Sequence, residues 1–228
     1  MQNQTLENKL LPYKFQNIPQ PIRMQINIFR AKKYWKRTGV IFIHIPKNGG
    51  TSVNNALYGR FMGHYSVSDI AVLNKDFLSN LPTLAISRNP WTRLYSAYSF
   101  AQKESANTLN SKIHNAKLYN QNTFDSFERF VNEWLVYQDI RSLDQIFRPQ
   151  IDFIKRQDNV IAVNHIGMLE RPETYTSWLQ DNLGNPVQIQ HLNKSEPKVS
   201  YRKAYNNELI DTVSKIYAED LSFFNYDF

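Results

Sequence analysis

The chain has 228 residues with 42% hydrophobic and 14% aromatic content, enough to bury a substantial core in one domain, with room for a small lobe. Its 27 Lys and Arg against 20 Asp and Glu leave a net charge of +7 and a pI of about 9.4, which suits anionic partners: nucleic acid, a phosphorylated or sulfated small molecule, or an acidic glycan. Cysteine is absent, which excludes a disulfide framework and a thiolate metal site.

Residues 1–39 contain no apolar run long enough to cross a bilayer, and the polar start MQNQTLENK has no signal-peptide pattern. Arg23 to Arg37 is basic, with Ile22, Met24, Ile26, Ile28, Phe29, Tyr34 and Trp35 interleaved. It reads as an N-terminal helix packed on its own domain; peripheral attachment of residues 22–37 to a membrane surface or a polyanion is the alternative. The domain proper is expected over residues 40–228.

Val40 to His44 reads as a buried strand stopped by Pro46; Gly49 and Gly50 permit a tight turn, and Thr51 opens a helix whose stripe is Val53, Ala56 and Leu57. Glycines let backbone N–H groups face an anion, the helix N-terminus adds donors, and Lys47 adds a full charge, so phosphate or sulfate is the natural guest. The lysine precedes the glycines, whereas a Walker loop places it after them, which argues against nucleotide hydrolysis. An ordinary Gly-Gly turn beside a surface lysine is the bland reading of the same residues.

Residues 73–81 read as a short helical connection. Leu84 to Tyr98 again runs from an apolar strand into a helix, with Asn89 as N-cap and Pro90 at the first helical position. Trp91, Leu94, Tyr95 and Tyr98 form a stripe suited to packing on the sheet. Arg88, just before the helix, and Ser96, two turns into it, can converge on one phosphate; Arg93 either joins them or serves as a structural ion-pair partner. Ala101 to Asn122 is polar and aperiodic, and is expected as a loop or mobile insertion. Asp125-Ser-Phe-Glu128 shows a capping-box pattern before a helix whose aromatics Phe127, Phe130 and Trp134 belong to the core. Strands are expected over Val160–Glu170 and Val187–Leu192, with a helix over Thr174–Leu183 closed by Gly184 between them. Leu209, Val213, Ile216, Tyr217, Leu221 and Phe224 form a C-terminal helical stripe. Two strand–helix units imply an α/β fold, a single domain with a mainly parallel central sheet flanked by helices and ligands at the carboxyl ends of its strands.

The pair HIPKNGGTS and SRNPWTRLYSAY resembles the two nucleotide signatures of sulfotransferases that use 3′-phosphoadenosine 5′-phosphosulfate (PAPS). It is most like the carbohydrate type, typified by heparan sulfate O-sulfotransferases and their soluble bacterial relatives. The resemblance implies a P-loop-like fold in which Lys47, Asn48, Gly49, Gly50, Thr51 and Ser52 hold the 5′-phosphosulfate, while Arg88 and Ser96 hold the 3′-phosphate. Asn48 stands where the family usually has threonine. Gly63 to Ile70 is similar to a segment carrying a catalytic histidine, which makes His64 the general base, with Lys47 stabilising the leaving phosphate; imidazole chemistry suits that proton transfer, and Glu170 is the carboxylate alternative. His44 is expected to pack beneath the site. By the same resemblance Arg148 and Gln150 face the acceptor, and Lys194, Ser195 and Lys198 lie on a loop over the adenine and 3′-phosphate.

The function so implied is sulfuryl transfer from PAPS to a hydroxyl, on a carbohydrate, by a cytoplasmic bacterial enzyme without metal, nucleic-acid partner or membrane span. A basic polyanion- or glycan-binding module without catalysis, and a nucleotide-dependent kinase, are the competing readings.

Overall fold

The computed structural model describes residues 19–73, 75–106, 113, 115–190 and 201–228. In chain order its main elements are α1 (Gln20–Thr38), β1 (Ile41–Ile43), α2 (Gly50–Tyr58), α3 (Val67–Leu73), α4 (Lys75–Ser79), β2 (Thr83–Ser87) and α5 (Pro90–Ser105). There follow α6 (Phe127–Arg129), α7 (Ile151–Ile154), β3 (His165–Met168), α8 (Glu173–Leu183), α9 (Asn207–Ile216) and α10 (Ala218–Phe224). The fold is α/β, and the chain forms two compact units. One takes the described residues within Met1–Ile45, Gly49–Ile86 and Phe153–Lys194; the other takes those within Pro46–Asn48, Ser87–Asp152 and Ser195–Phe228.

The first unit holds a three-stranded sheet of order β1-β2-β3, in which β1 and β2 are parallel with Ile41, Phe42 and Ile43 opposite Thr83, Leu84 and Ala85. Every residue of β1 and β2 is buried, as a strand covered on both faces requires, and this explains why their sequence is unbroken rather than alternating. The Tyr58 hydroxyl donates to Val40 O and accepts from Phe42 N, each at 2.9 Å, which fastens the end of α2 to β1. The Asn164 amide oxygen accepts from both Thr83 N (2.9 Å) and Thr83 Oγ1 (2.8 Å) ahead of β3. Helix α1 packs on α2 and α3, buries Ile28, Ala31 and Trp35, and ends at Gly39, whose φ of 85° is left-handed. Gly184 closes α8 in the same way, donating to Gln180 O at 2.9 Å.

The strand expected over Val187–Leu192 is not present in its described part. Val187 and Ile189 alternate with exposed Gln188 and Gln190, but residues 187–190 form no ladder, and residues 191 and 192 lie outside the described residues. Alternation alone does not make a strand where no neighbour supplies hydrogen bonds.

The second unit is helical around an aromatic core. Trp91, Leu94, Ala97 and Tyr98 of α5 bury against Phe124, Phe127, Phe130, Trp134 and Phe147, with Leu209, Val213 and Tyr217 from the C-terminal part. The α5 stripe expected for a sheet therefore finds its partners among these rings, which meet in tilted and edge-to-face pairs such as Phe124–Trp134 at 5.1 Å. Asn89 is the N-cap of α5, accepting from Trp91 N (3.1 Å) and Thr92 N (3.4 Å). The next cap falls on Ser126 rather than Asp125, because Ser126 has extended backbone and its hydroxyl accepts from Arg129 N at 3.2 Å. The expected 101–122 loop carries regular structure among its described residues. Helix α5 runs on to Ser105, and a 3-10 turn at Ala116–Tyr119 buries Tyr119, whose hydroxyl donates to Asp144.

Candidate anion-binding and catalytic site

The residues singled out in the sequence fall into two clusters, one in each unit. Pro46–Asn48 belongs to the second unit, where it is tied down by three side chains from elsewhere in the chain. Arg93 is 1% exposed and directs its guanidinium at backbone oxygens: Nε to Pro46 O at 3.0 Å, Nη1 to Arg148 O at 2.9 Å and Nη2 to Gln145 O at 3.5 Å. Burial pulls its affinity for the proton down, and the surrounding Tyr217, Asp220 and Asp152 oppose that. A guanidinium keeps its charge in any case, so Arg93 is a fixed cation beneath the loop rather than an ion-pair partner. Arg88 donates Nη1 to Lys47 O at 2.8 Å and Nε to Thr92 Oγ1 at 3.0 Å.

These bonds orient the loop's peptide planes. In a trans peptide the N–H points opposite to the C=O, and no cis bond occurs among the described residues. With the carbonyls of Pro46 and Lys47 drawn to Arg93 and Arg88, the N–H groups of Lys47 and Asn48 are turned the other way. Lys47 adopts a φ of 70°, at a cost of roughly 1–2 kcal/mol for a side-chain-bearing residue, and its ammonium lies 4.0 Å from the Phe100 ring centroid.

Gln150 holds the third position. It is fully buried; its Oε1 accepts from Asn48 Nδ2 (2.7 Å) and Arg88 N (2.9 Å), and its Nε2 donates to Arg88 O (2.8 Å). Its own backbone N donates to Asp220 Oδ2 at 2.8 Å, and Ile151 N donates to Asp220 Oδ1 at 2.9 Å. Burial pushes the Asp220 carboxyl up, against the pull of Arg93 and these N–H donors. Gln150, expected to face an acceptor, thus has no surface and acts as a brace, and the Asn48 side chain is turned to it. Neither Gln150 nor Asp220 carried a local signal for this role, since the Asn48–Gln150 contact joins residues 102 positions apart. Arg148 is half-buried and donates Nε to Leu143 O at 2.8 Å. Ser96 is half-buried on α5, without a hydrogen bond among the described residues.

In the first unit, Gly49 has a φ of 70° and caps α2 without any side-chain hydrogen bond, and the first turn of α2 carries no acid. A helix N-terminus of this kind presents backbone N–H donors and a positive dipole end, and Thr51 and Ser52 stand in its first turn. Gly50 has a separate reason to be glycine: a Cβ there would lie 2.1 Å from His44 Cδ2. His44 is 4% exposed, and its Nδ1 faces Asn54 Nδ2 at 2.8 Å; an amide nitrogen only donates, so Nδ1 accepts and the ring is neutral. Burial holds its pKa well below the usual histidine value, and the neighbouring His64 adds to that. This is the packing position expected for His44.

His64 is half-buried, with its ring 4.0 Å from that of His44 and 5.2 Å from Phe61. Its Nδ1 lies 3.0 Å from His44 O. A carbonyl only accepts, so Nδ1 carries the proton, and in the neutral ring Nε2 holds the lone pair a general base needs. Glu170 is exposed in the turn after β3. Lys194, Ser195 and Lys198 lie outside the described residues.

Among the described residues, no group of three or more His, Cys, Asp or Glu is placed to hold a metal, and no helix is long and apolar enough to cross a membrane. No curated protein and no solved structure matches the chain. A family model described as the Sulfotransferase family matches residues 33–227, which takes in the lysine loop, the Arg88–Ser96 segment and both histidines. By that match over most of its length, the chain belongs to the sulfotransferase family, whose reaction is sulfuryl transfer.

Proposed function

We propose that this transferase draws its sulfuryl group from PAPS and delivers it to a hydroxyl of a carbohydrate acceptor. The support is the loop backbone: two arginines hold the carbonyls of Pro46 and Lys47, which turns the next two N–H groups away from those guanidiniums, and α2 opens without an acid or a side-chain cap. Preorganised donors of this kind stabilise charge on a leaving phosphate without reorganisation at the moment of reaction. Lys47, the N–H groups of Asn48, Gly49 and Gly50, and the hydroxyls of Thr51 and Ser52 take the phosphosulfate; Arg88 and Ser96 take the 3′-phosphate. The acceptor oxygen forms a bond to sulfur as the bond from sulfur to the phosphate oxygen breaks. Adenosine 3′,5′-bisphosphate leaves, and the hydroxyl proton passes to His64 Nε2. Arg148 is the residue assigned to the acceptor, and the net charge of +7 suits both an anionic donor and an acidic glycan.

Thermal unfolding with adenosine 3′,5′-bisphosphate, AMP, or ATP with magnesium tests the donor. At a hundred times its Kd, the bisphosphate stabilises by about 2.7 kcal/mol, or roughly 5–10 °C in a chain of this size. Selective stabilisation by the bisphosphate, lost in Lys47→Ala, is the expected result; stabilisation by ATP and magnesium alone would point to a kinase. His64→Ala keeps the bisphosphate response while sulfuryl transfer falls about a hundredfold or more.

A further inference from the structure

The outer face of α1 is not explained by sulfuryl transfer. Its inner face buries Ile28, Ala31 and Trp35, yet Phe29 is 70% and Ile22 49% exposed. At 100° per residue, Ile22, Phe29, Lys33 and Lys36 share roughly 60° of arc, with Lys32 and Arg37 on its flanks. The helix carries six Lys and Arg and no Asp or Glu. Lys32, Lys33, Lys36 and Arg37 make no ion pair among the described residues; Lys32 lies over the Phe77 ring, and Lys33 and Arg37 over Tyr34.

We propose that this face of α1 docks the protein onto an anionic lipid surface. Charge complementarity selects an anionic occupant, because several unneutralised cations on one side of a helix repel one another until a negative surface meets them. The two apolar side chains select lipid over a soluble polyanion: a glycan or nucleic-acid chain engages the lysines but leaves the Phe29 ring in water, whereas a bilayer takes Phe29 and Ile22 into the acyl boundary while its phosphates meet the ammonium groups. Six charges over 19 residues forbid spanning, so α1 lies in the plane of the surface.

The test uses the full chain with vesicles of phosphatidylcholine alone or mixed with phosphatidylglycerol. Binding to the mixed vesicles only, weakening as salt rises, is expected. Phe29→Ser weakens it about tenfold or more, and Lys33→Gln with Lys36→Gln weakens it roughly fivefold per charge. Both substitutions sit on exposed positions, so unchanged thermal unfolding shows that the fold is intact. Because the chain has no cysteine, Phe29→Cys carries a single environment-sensitive dye, whose emission shifts to the blue with mixed vesicles and not with heparin. Equal binding to neutral lipid, no vesicle binding, a Phe29→Ser protein that binds as well as the parent, or a dye that responds to heparin alike would each overturn the proposal.

Discussion

Arg93 directs its guanidinium at the carbonyl oxygens of Pro46, Arg148 and Gln145, and Arg88 donates Nη1 to Lys47 O, which sets the direction of the Lys47 and Asn48 N–H groups. The opposite economy operates at His44, a histidine held neutral by burial, with Asn54 donating to its Nδ1 and His64 alongside. A histidine whose folded pKa is depressed contributes stability that is present above its ordinary value of 6.5 and lost as the pH falls. Between pH 6.5 and 5, the parent protein loses up to about 2 kcal/mol on this account, and His44→Asn removes that part of the slope. Urea midpoints across the pH series are the measurement; equal slopes would show that His44 is not the group that titrates.

At the scale of the element, α2 is specified by its glycines, each for a different reason. Alanine in place of Gly50 gains helix propensity of roughly 0.5–1 kcal/mol, but its Cβ meets a buried His44 ring at 2.1 Å. Overpacking wins, at about 1–3 kcal/mol, so Gly50→Ala lowers the melting temperature and abolishes the bisphosphate response. Gly59→Ala meets nothing within 4 Å and bears only the left-handed φ of 68°, roughly 1 kcal/mol, with the ligand response kept. Thermal unfolding with and without the bisphosphate separates the two. Signals within one turn were legible in the same way elsewhere: Asn89 and Pro90 start α5, and Gly184 ends α8. Such signals also set the limit of the reading. The alternating residues 187–190 looked like a strand, yet pairing needs a neighbour the local sequence does not name.

Over the whole molecule, the aromatic content is concentrated in the core of the second unit, where Phe130 is completely buried between Tyr98, Phe124, Trp134 and Phe147. Phe130→Ala should cost about 3–5 kcal/mol, lowering the melting temperature by roughly 10 °C in a differential scan. A shift of one or two degrees would mean that the rings close over the gap.

The sequence by itself determined the α/β class, the strand–loop–helix at Lys47, the cap of α5 and the family, because each depends on residues within a turn or two of one another. Steric limits on φ, capping hydrogen bonds and apolar periodicity all act over that range. The tertiary structure alone decided that Gln150 is a buried brace instead of an acceptor contact, that Arg93 grips Pro46 O, and that Asp220 anchors Gln150 and Ile151. Those contacts join residues tens to a hundred positions apart. They form because a buried polar group must find a partner wherever the fold brings one, and such a requirement leaves no period in the chain.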